Sequence, residues 1–166
     1  MKTERLTGLA LLTAAAMMLS WVESLLPAFT AVPGVKVGLA NTVSLFALYM
    51  LSPRDAWIVS ALRITLASLL FGTMFSLAYS ASGAVASLAV MCLLKKTGAF
   101  SVTGVSVAGG VAHNAGQLAA AILIMETKGL VYYAAPLLVS GIIAGAVVGL
   151  AAGFLIERLP DKMIKK

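Results

Sequence analysis

The sequence predicts an all-α integral membrane protein with six transmembrane helices and both termini in the cytoplasm. Three observations predict this class. First, of 166 residues 61% are hydrophobic and only 11% charged, with a mean hydropathy of +1.03; a soluble domain of this length needs far more polar surface. Second, the apolar runs are long and parted by short breaks. They lack the alternation, in segments of roughly ten residues, that a membrane barrel shows. Third, six spans collect Lys2, Arg5, Arg54, Lys95, Lys96, Arg158, Lys162, Lys165 and Lys166 on one side. The other side holds only Lys36 and Lys128, with Arg63 left in the core. This asymmetry places the first side in the cytoplasm. It also accounts for the net charge of +6 without a nucleic-acid partner.

Helix 1 is expected over about 5–26. Its apolar run lacks a small-x-small cleavage site, so it reads as a retained span rather than a signal peptide. Ala10 and Ala14 form an A-x-x-x-A pair, Glu23 lies near the end, and Pro27 stops the helix. Helix 2, about 36–51, carries Lys36 and Asn41. It is short for a ~30 Å hydrocarbon core, which takes ~20 residues at 1.5 Å each; it either starts in the preceding loop or follows a re-entrant one. Ser52-Pro53 opens helix 3, about 53–71, because proline suits a first helical turn. Gly72-Thr73 marks a turn, and helix 4 follows over about 74–94 with small hydroxyl-bearing positions at Ser76, Ser80, Ser82 and Ser87.

Helix 5, about 102–126, holds the sequence's main polar cluster, His113, Asn114 and Gln117, within an otherwise apolar run. Its residues Gly104, Ala108, Ala112, Gly116 and Ala120 recur every four positions and predict a close-packing stripe. Helix 6, about 132–157, repeats Gly141, Gly145, Gly149 and Gly153 at the same interval, and the two stripes are expected to meet. The whole chain, 1–166, reads as a single membrane domain. The lone Cys92 excludes an intrachain disulfide and reads as an inert buried thiol.

Arg63 is the costliest residue in the sequence, since a central arginine costs at least ~2.5–3.5 kcal/mol on insertion scales. Arg63, His113 and Asn114 fall near mid-depth, and Glu23, Lys36, Asn41 and Gln117 fall toward the outer face. That layout predicts an outward pocket for a small anionic solute, with Arg63 and Lys36 on the anion and the others as hydrogen-bonding partners. The alternative is internal satisfaction: Arg63 paired with Glu23 or with carbonyls, and the helix 5 amides bonded between helices. Tyr79, Tyr132 and Tyr133 are further lining candidates. A single histidine without nearby Asp, Glu or Cys predicts no metal site, and no cofactor is expected. No G-x-x-x-x-G-K-[ST] or G-x-S-x-G motif occurs, and no carboxylate lies at mid-depth for a proton relay.

The segments PGVKVGLANTVSLFALY, SLAYSASGAVASLAVM and VAGGVAHNAGQLAAA, with the Arg63 helix ending LLFG, resemble the Gx transporter family, also labelled heptaprenyl diphosphate synthase component I. The resemblance covers about 5–157. It implies similarity to the substrate-binding S components of energy-coupling factor (ECF) transporters. Such a protein captures a vitamin-like solute and docks on a T component driven by two ATPase subunits. The resemblance places that docking on Ala10 and Ala14. It implies no enzyme: a known-type prenyl diphosphate synthase carries D-D-x-x-D motifs, and this chain has only Asp55 and Asp161. Two other functions stay open: an accessory of prenyl, quinone or flavin redox metabolism, and a membrane enzyme acting on a lipid diphosphate.

Overall fold

The computed structural model describes residues 3–25 and 38–158. Its elements are α1 (Thr3–Leu25), α2 (Asn41–Met50), α3 (Pro53–Phe71), α4 (Met74–Thr97), α5 (Val102–Met125) and α6 (Ala134–Arg158), with a 3₁₀ segment, Lys128–Tyr133, before α6. No strand occurs among the described residues. Lys2, Lys36, Lys162, Lys165 and Lys166 lie outside them.

Four stretches are long and apolar enough to cross a bilayer: α1, α4, α5, and Lys128–Arg158, which contains α6. The distribution of side chains agrees with a multi-pass membrane protein. Leu69, Met74, Leu123 and Tyr132 are 72–88% exposed, whereas Leu45, Ala47, Ala56, Val59 and Val105 are fully buried. Large apolar residues outside and small or medium ones inside suit a lipid solvent, not water. α3 carries Arg54, Asp55 and Arg63 in 19 residues, which makes it the most charged of the longer helices.

The helix ends follow from local chemistry. Ser52 accepts a hydrogen bond from the Asp55 N–H (3.2 Å), with Pro53 as the first helical residue. Thr73 and Ser76 form a reciprocal capping box at α4. Ser101 accepts from the Gly104 N–H at α5. α4 runs on through Lys95 and Lys96 to Thr97, beyond the expected end at 94, and stops where Gly98 turns left-handed at φ +67°.

Helix 2 departs most from expectation. It begins at Asn41 rather than near 36 and has ten residues, about 15 Å, or half a hydrocarbon core. The cause is the preceding turn. Gly38 sits at φ +76°, where other residues are strained, and its N–H donates to the Glu23 carboxylate. At the other end the Lys95 ammonium donates to the Leu48 carbonyl (2.5 Å) and lies 4.9 Å from the Tyr49 ring centre. Lys95 thereby satisfies a carbonyl that the last turn of α2 leaves open.

The helices close into a ring in the order α2, α3, α4, α5, α6 and back to α2, with α1 packed on α3 and more lightly on α2. The α5–α6 contact is the closest. An added Cβ would lie 2.3 Å from the Gly141 carbonyl oxygen at Gly110, 2.7 Å from the Ser106 carbonyl oxygen at Gly145, and 2.7 Å from the Thr103 Cα at Gly149. The backbones therefore touch. Two expectations are corrected here. Gly153 has open space around its Cβ position and is not in the contact. The face of α5 toward α6 runs through Thr103, Ser106, Val107, Gly110 and Asn114 rather than the Gly104–Ala120 stripe. Gly116 of that stripe packs on Ser82, Gly83 and Ala86 of α4.

At one end of the bundle Arg5 of α1 binds Asp55 of α3 through Nε (3.1 Å) and Nη2 (2.5 Å), and Ser52 donates to the other carboxylate oxygen (2.7 Å). Asp55 is 4% exposed. Arg5→Ala leaves this carboxylate with one hydroxyl partner, so it should destabilise the protein by about 1–2 kcal/mol, discounted for the half-exposed arginine. Asp55→Asn in the Arg5→Ala background should recover part of that loss. Thermal unfolding in detergent measures both; an undiminished melting temperature in Arg5→Ala would show that the pair does not hold α1.

Candidate ligand-binding cavity

A cavity of about 190 Å³ lies inside the ring and is lined by residues of all six helices. That volume exceeds the ≈ 30 Å³ share of one water and falls below the ~300 Å³ of the smaller drug-sized pockets. Along α4 the lining extends from Ser76 to Met91, roughly 22 Å at 1.5 Å per residue, so the space is long and narrow. Around Met91 a core of Leu45, Leu48, Leu88, Val105, Val148 and Ala152 closes the bundle.

The charged part sits between α1, α2 and α3. Arg63 projects from the middle of α3, and its Nη2 donates to Asn41 Oδ1 (3.2 Å) in the first turn of α2. Its Nε–H is buried and has no partner among the described residues. A guanidinium N–H withdrawn from water without an acceptor is unfavourable, and a guanidinium is the group whose N–H pairs grip a carboxylate or phosphate. Glu23 does not pair with it directly. The Glu23 carboxylate accepts the Gly38 N–H and attracts the guanidinium from beyond ion-pair distance. The ion pair found among the described residues is the remote Arg5–Asp55. Both Glu23 and Asn41 line the cavity.

The opposite wall comes from α4 and α5. His113 and Gln117, one turn apart, lie against Gly83. A Cβ there would sit 2.8 Å from Gln117 Cγ and 2.9 Å from His113 Cε1 and Nε2. Gly83 thus makes room for both side chains, and a larger residue there would force them to shift. Asn114 also borders the space, but its amide nitrogen is committed to α6, donating to the Leu137 carbonyl (2.6 Å) and Ser140 Oγ (3.0 Å). The internal-satisfaction reading therefore describes the Asn114 nitrogen. The internal Arg63–Glu23 pair it offered does not form.

The structure thus gathers Glu23, Asn41, Arg63, His113, Asn114 and Gln117 around one cavity. Lys36 lies outside the described residues. Tyr79, Tyr132 and Tyr133 are not in the lining, and Tyr132 is 88% exposed. Ala10 and Ala14 are on the exposed face of α1, away from the cavity. Seven serines that the sequence reading did not place in the site complete the wall: Ser20, Ser24, Ser68 and Ser106, and the α4 hydroxyl positions Ser76, Ser80 and Ser87. A signal existed for α4, since spacings of four and seven put Ser76, Ser80 and Ser87 on one face.

No curated protein and no solved structure matches the chain. A family model does, over residues 12–155, which includes every described lining residue of the cavity. On that match the chain belongs to the family described as heptaprenyl diphosphate synthase component I.

Proposed function

We propose that this protein captures a small anionic or amphipathic metabolite and hands it to a partner assembly, as the S component of an ECF-type importer does. The buried Arg63, whose Nε–H has no partner among the described residues, lines a cavity between all six helices and carries this reading. A membrane arginine is retained at this cost where it has a binding task. Lys36, two residues before Gly38, is assigned to the same anion. The cation asymmetry of the sequence puts both termini in the cytoplasm, the protein in the plasma membrane, and the Glu23 end of the cavity outside. The chain has no ATP-binding loop, so energy comes from a T component and two ATPase subunits. α1 supports docking there: Ala10, Leu11, Ala14 and Met18 lie on its exposed face.

The test is a pull-down from mildly solubilised membranes with the intact chain and with Ala10→Trp plus Ala14→Trp. We expect a T component and ATPases to co-purify and the double variant to lose them by about tenfold or more, while its melting temperature stays within a few degrees, since both sites are exposed. A complement of prenyl synthase or redox subunits instead would overturn the importer reading.

The family description favours a second reading, a non-catalytic membrane partner of a second synthase component. The third, an enzyme on a lipid diphosphate, has less support. Among the described lining residues Arg63 is the one permanent cation, and Glu23 adds a negative charge near it. A diphosphate normally demands several cations or a metal.

A further inference from the structure

Two tiers of polar groups line the cavity. The first is the Arg63, Asn41, His113 and Gln117 level. The second lies toward Met91, where Ser87 of α4 and Ser106 of α5 border the space beside Leu45 and Val148. Ser87 is 6% and Ser106 3% exposed. Some hydroxyls in these helices turn back onto their own backbone, as Thr13 does to the Leu9 carbonyl, Ser82 to Tyr79 and Ser140 to Leu137. Ser87 and Ser106 enter none of the hydrogen bonds among the described residues. Unlike Ser44 Oγ, which is fully enclosed without a partner, the Ser87 and Ser106 oxygens are not fully enclosed, so each can bond to whatever fills the end of the space, water or a solute.

The second tier is uncharged. Glu23 and Arg63 are the charged side chains of the described lining, and both belong to the first tier. Ser87 follows Gly83, which abuts His113 and Gln117, by four residues. Ser106 precedes His113 by seven. At 1.5 Å per residue the tiers are roughly 6–10 Å apart. Gly110 and Gly145 backbone and the apolar Leu45, Ile64 and Ala144 also line the space and offer it no side-chain charge.

We propose that Ser87 and Ser106 form a neutral recognition point at the far end of the cavity. The ligand is then an extended small anion: an acidic group at Arg63, a slender apolar middle, and an uncharged hydrogen-bonding group such as a hydroxyl or carbonyl at the two serines. This assignment rests on the reading of the cavity as an anion-binding site and names the class of solute it takes.

The test uses the full chain in lipid nanodiscs and two series of linear carboxylates, plain and ω-hydroxylated, of about four to eight carbons to bracket the 6–10 Å separation. Binding isotherms should show one chain length at which the hydroxy acid binds about 3–10-fold tighter than the plain acid. Ser87→Ala with Ser106→Ala, which removes two oxygens and adds no bulk, should return that ratio to about one. Equal or tighter binding of the plain acid at every length overturns the proposal, as does a hydroxyl preference that survives in the double variant. If no acid binds, and Arg63→Gln gives the same flat titration as the unaltered protein, the anion-site reading itself falls and the subsite with it.

Discussion

Gly145→Val is expected to prevent the bundle from closing. An added Cβ at Gly145 lies 2.7 Å from the Ser106 carbonyl oxygen and 2.7 Å from the Val107 Cα. Both are backbone atoms, so no side chain can swing aside, and α5 and α6 must separate along their length. Overpacking of a well-filled core typically costs 1–3 kcal/mol; against backbone on both sides the cost should be about 3 kcal/mol or more. The control is on the same helix. Gly153 repeats the spacing but faces open space, so Gly153→Val should change stability by less than about 0.5 kcal/mol. Size-exclusion profiles and thermal unfolding in detergent compare the two. Equal damage from both would mean that valine harms α6 for a reason unrelated to contact with α5.

Arg63→Met is expected to move stability and function in opposite directions. The guanidinium is held in a narrow space with one hydrogen bond to Asn41 and a buried Nε–H that has no partner among the described residues. Replacing a poorly paired buried charge with an apolar side chain of similar length is commonly neutral or stabilising, here by up to about 2 kcal/mol. A loss of some of that gain comes from Asn41, whose amide oxygen loses its donor. Binding of a carboxylate should meanwhile fall by at least about 100-fold, because the charge-assisted fork is gone. Melting temperature without ligand and affinity for a linear carboxylate read the two effects separately. A variant that melts much lower would identify Arg63 as a structural member of the bundle and remove the main support for a ligand site.

What was legible in the sequence follows physical lines. The all-helical membrane class is written in composition and in helix-end chemistry, as at Ser52-Pro53, Thr73 and Gly98, because caps act over a few residues and need no tertiary knowledge. The polar residues that meet in the cavity stand out because charge and amides are rare at that depth. Three features were not legible. The length of α2 depends on Glu23 holding Gly38, a contact between residues fifteen apart with a proline-containing stretch between them. The face of α5 that meets α6 could not be told from spacing, since Gly104, Ala108, Ala112, Gly109, Gly110 and Gly116 allow close approach on several sides at once. The serines could not be assigned to the cavity because a hydroxyl in a membrane helix ordinarily bonds to its own backbone, and only the packed structure distinguishes Ser87 and Ser106 from Ser82 and Ser140.

The brevity of α2 bears on how the protein is made. A ten-residue helix is too short to settle across a bilayer by itself, and its Thr42–Ser44 and Leu48 side are covered only when neighbours arrive. Its N-terminal turn waits for α1 and its C-terminal carbonyl for Lys95 of α4, and it also packs on α6, which is made more than eighty residues later. During synthesis α2 must therefore remain in the shelter of the insertion machinery, or lie at the membrane surface, until α6 has been made. The ligand chamber comes into being in a single late step, and a nascent chain stalled before α6 offers a quality-control protease an uncovered half-helix to recognise.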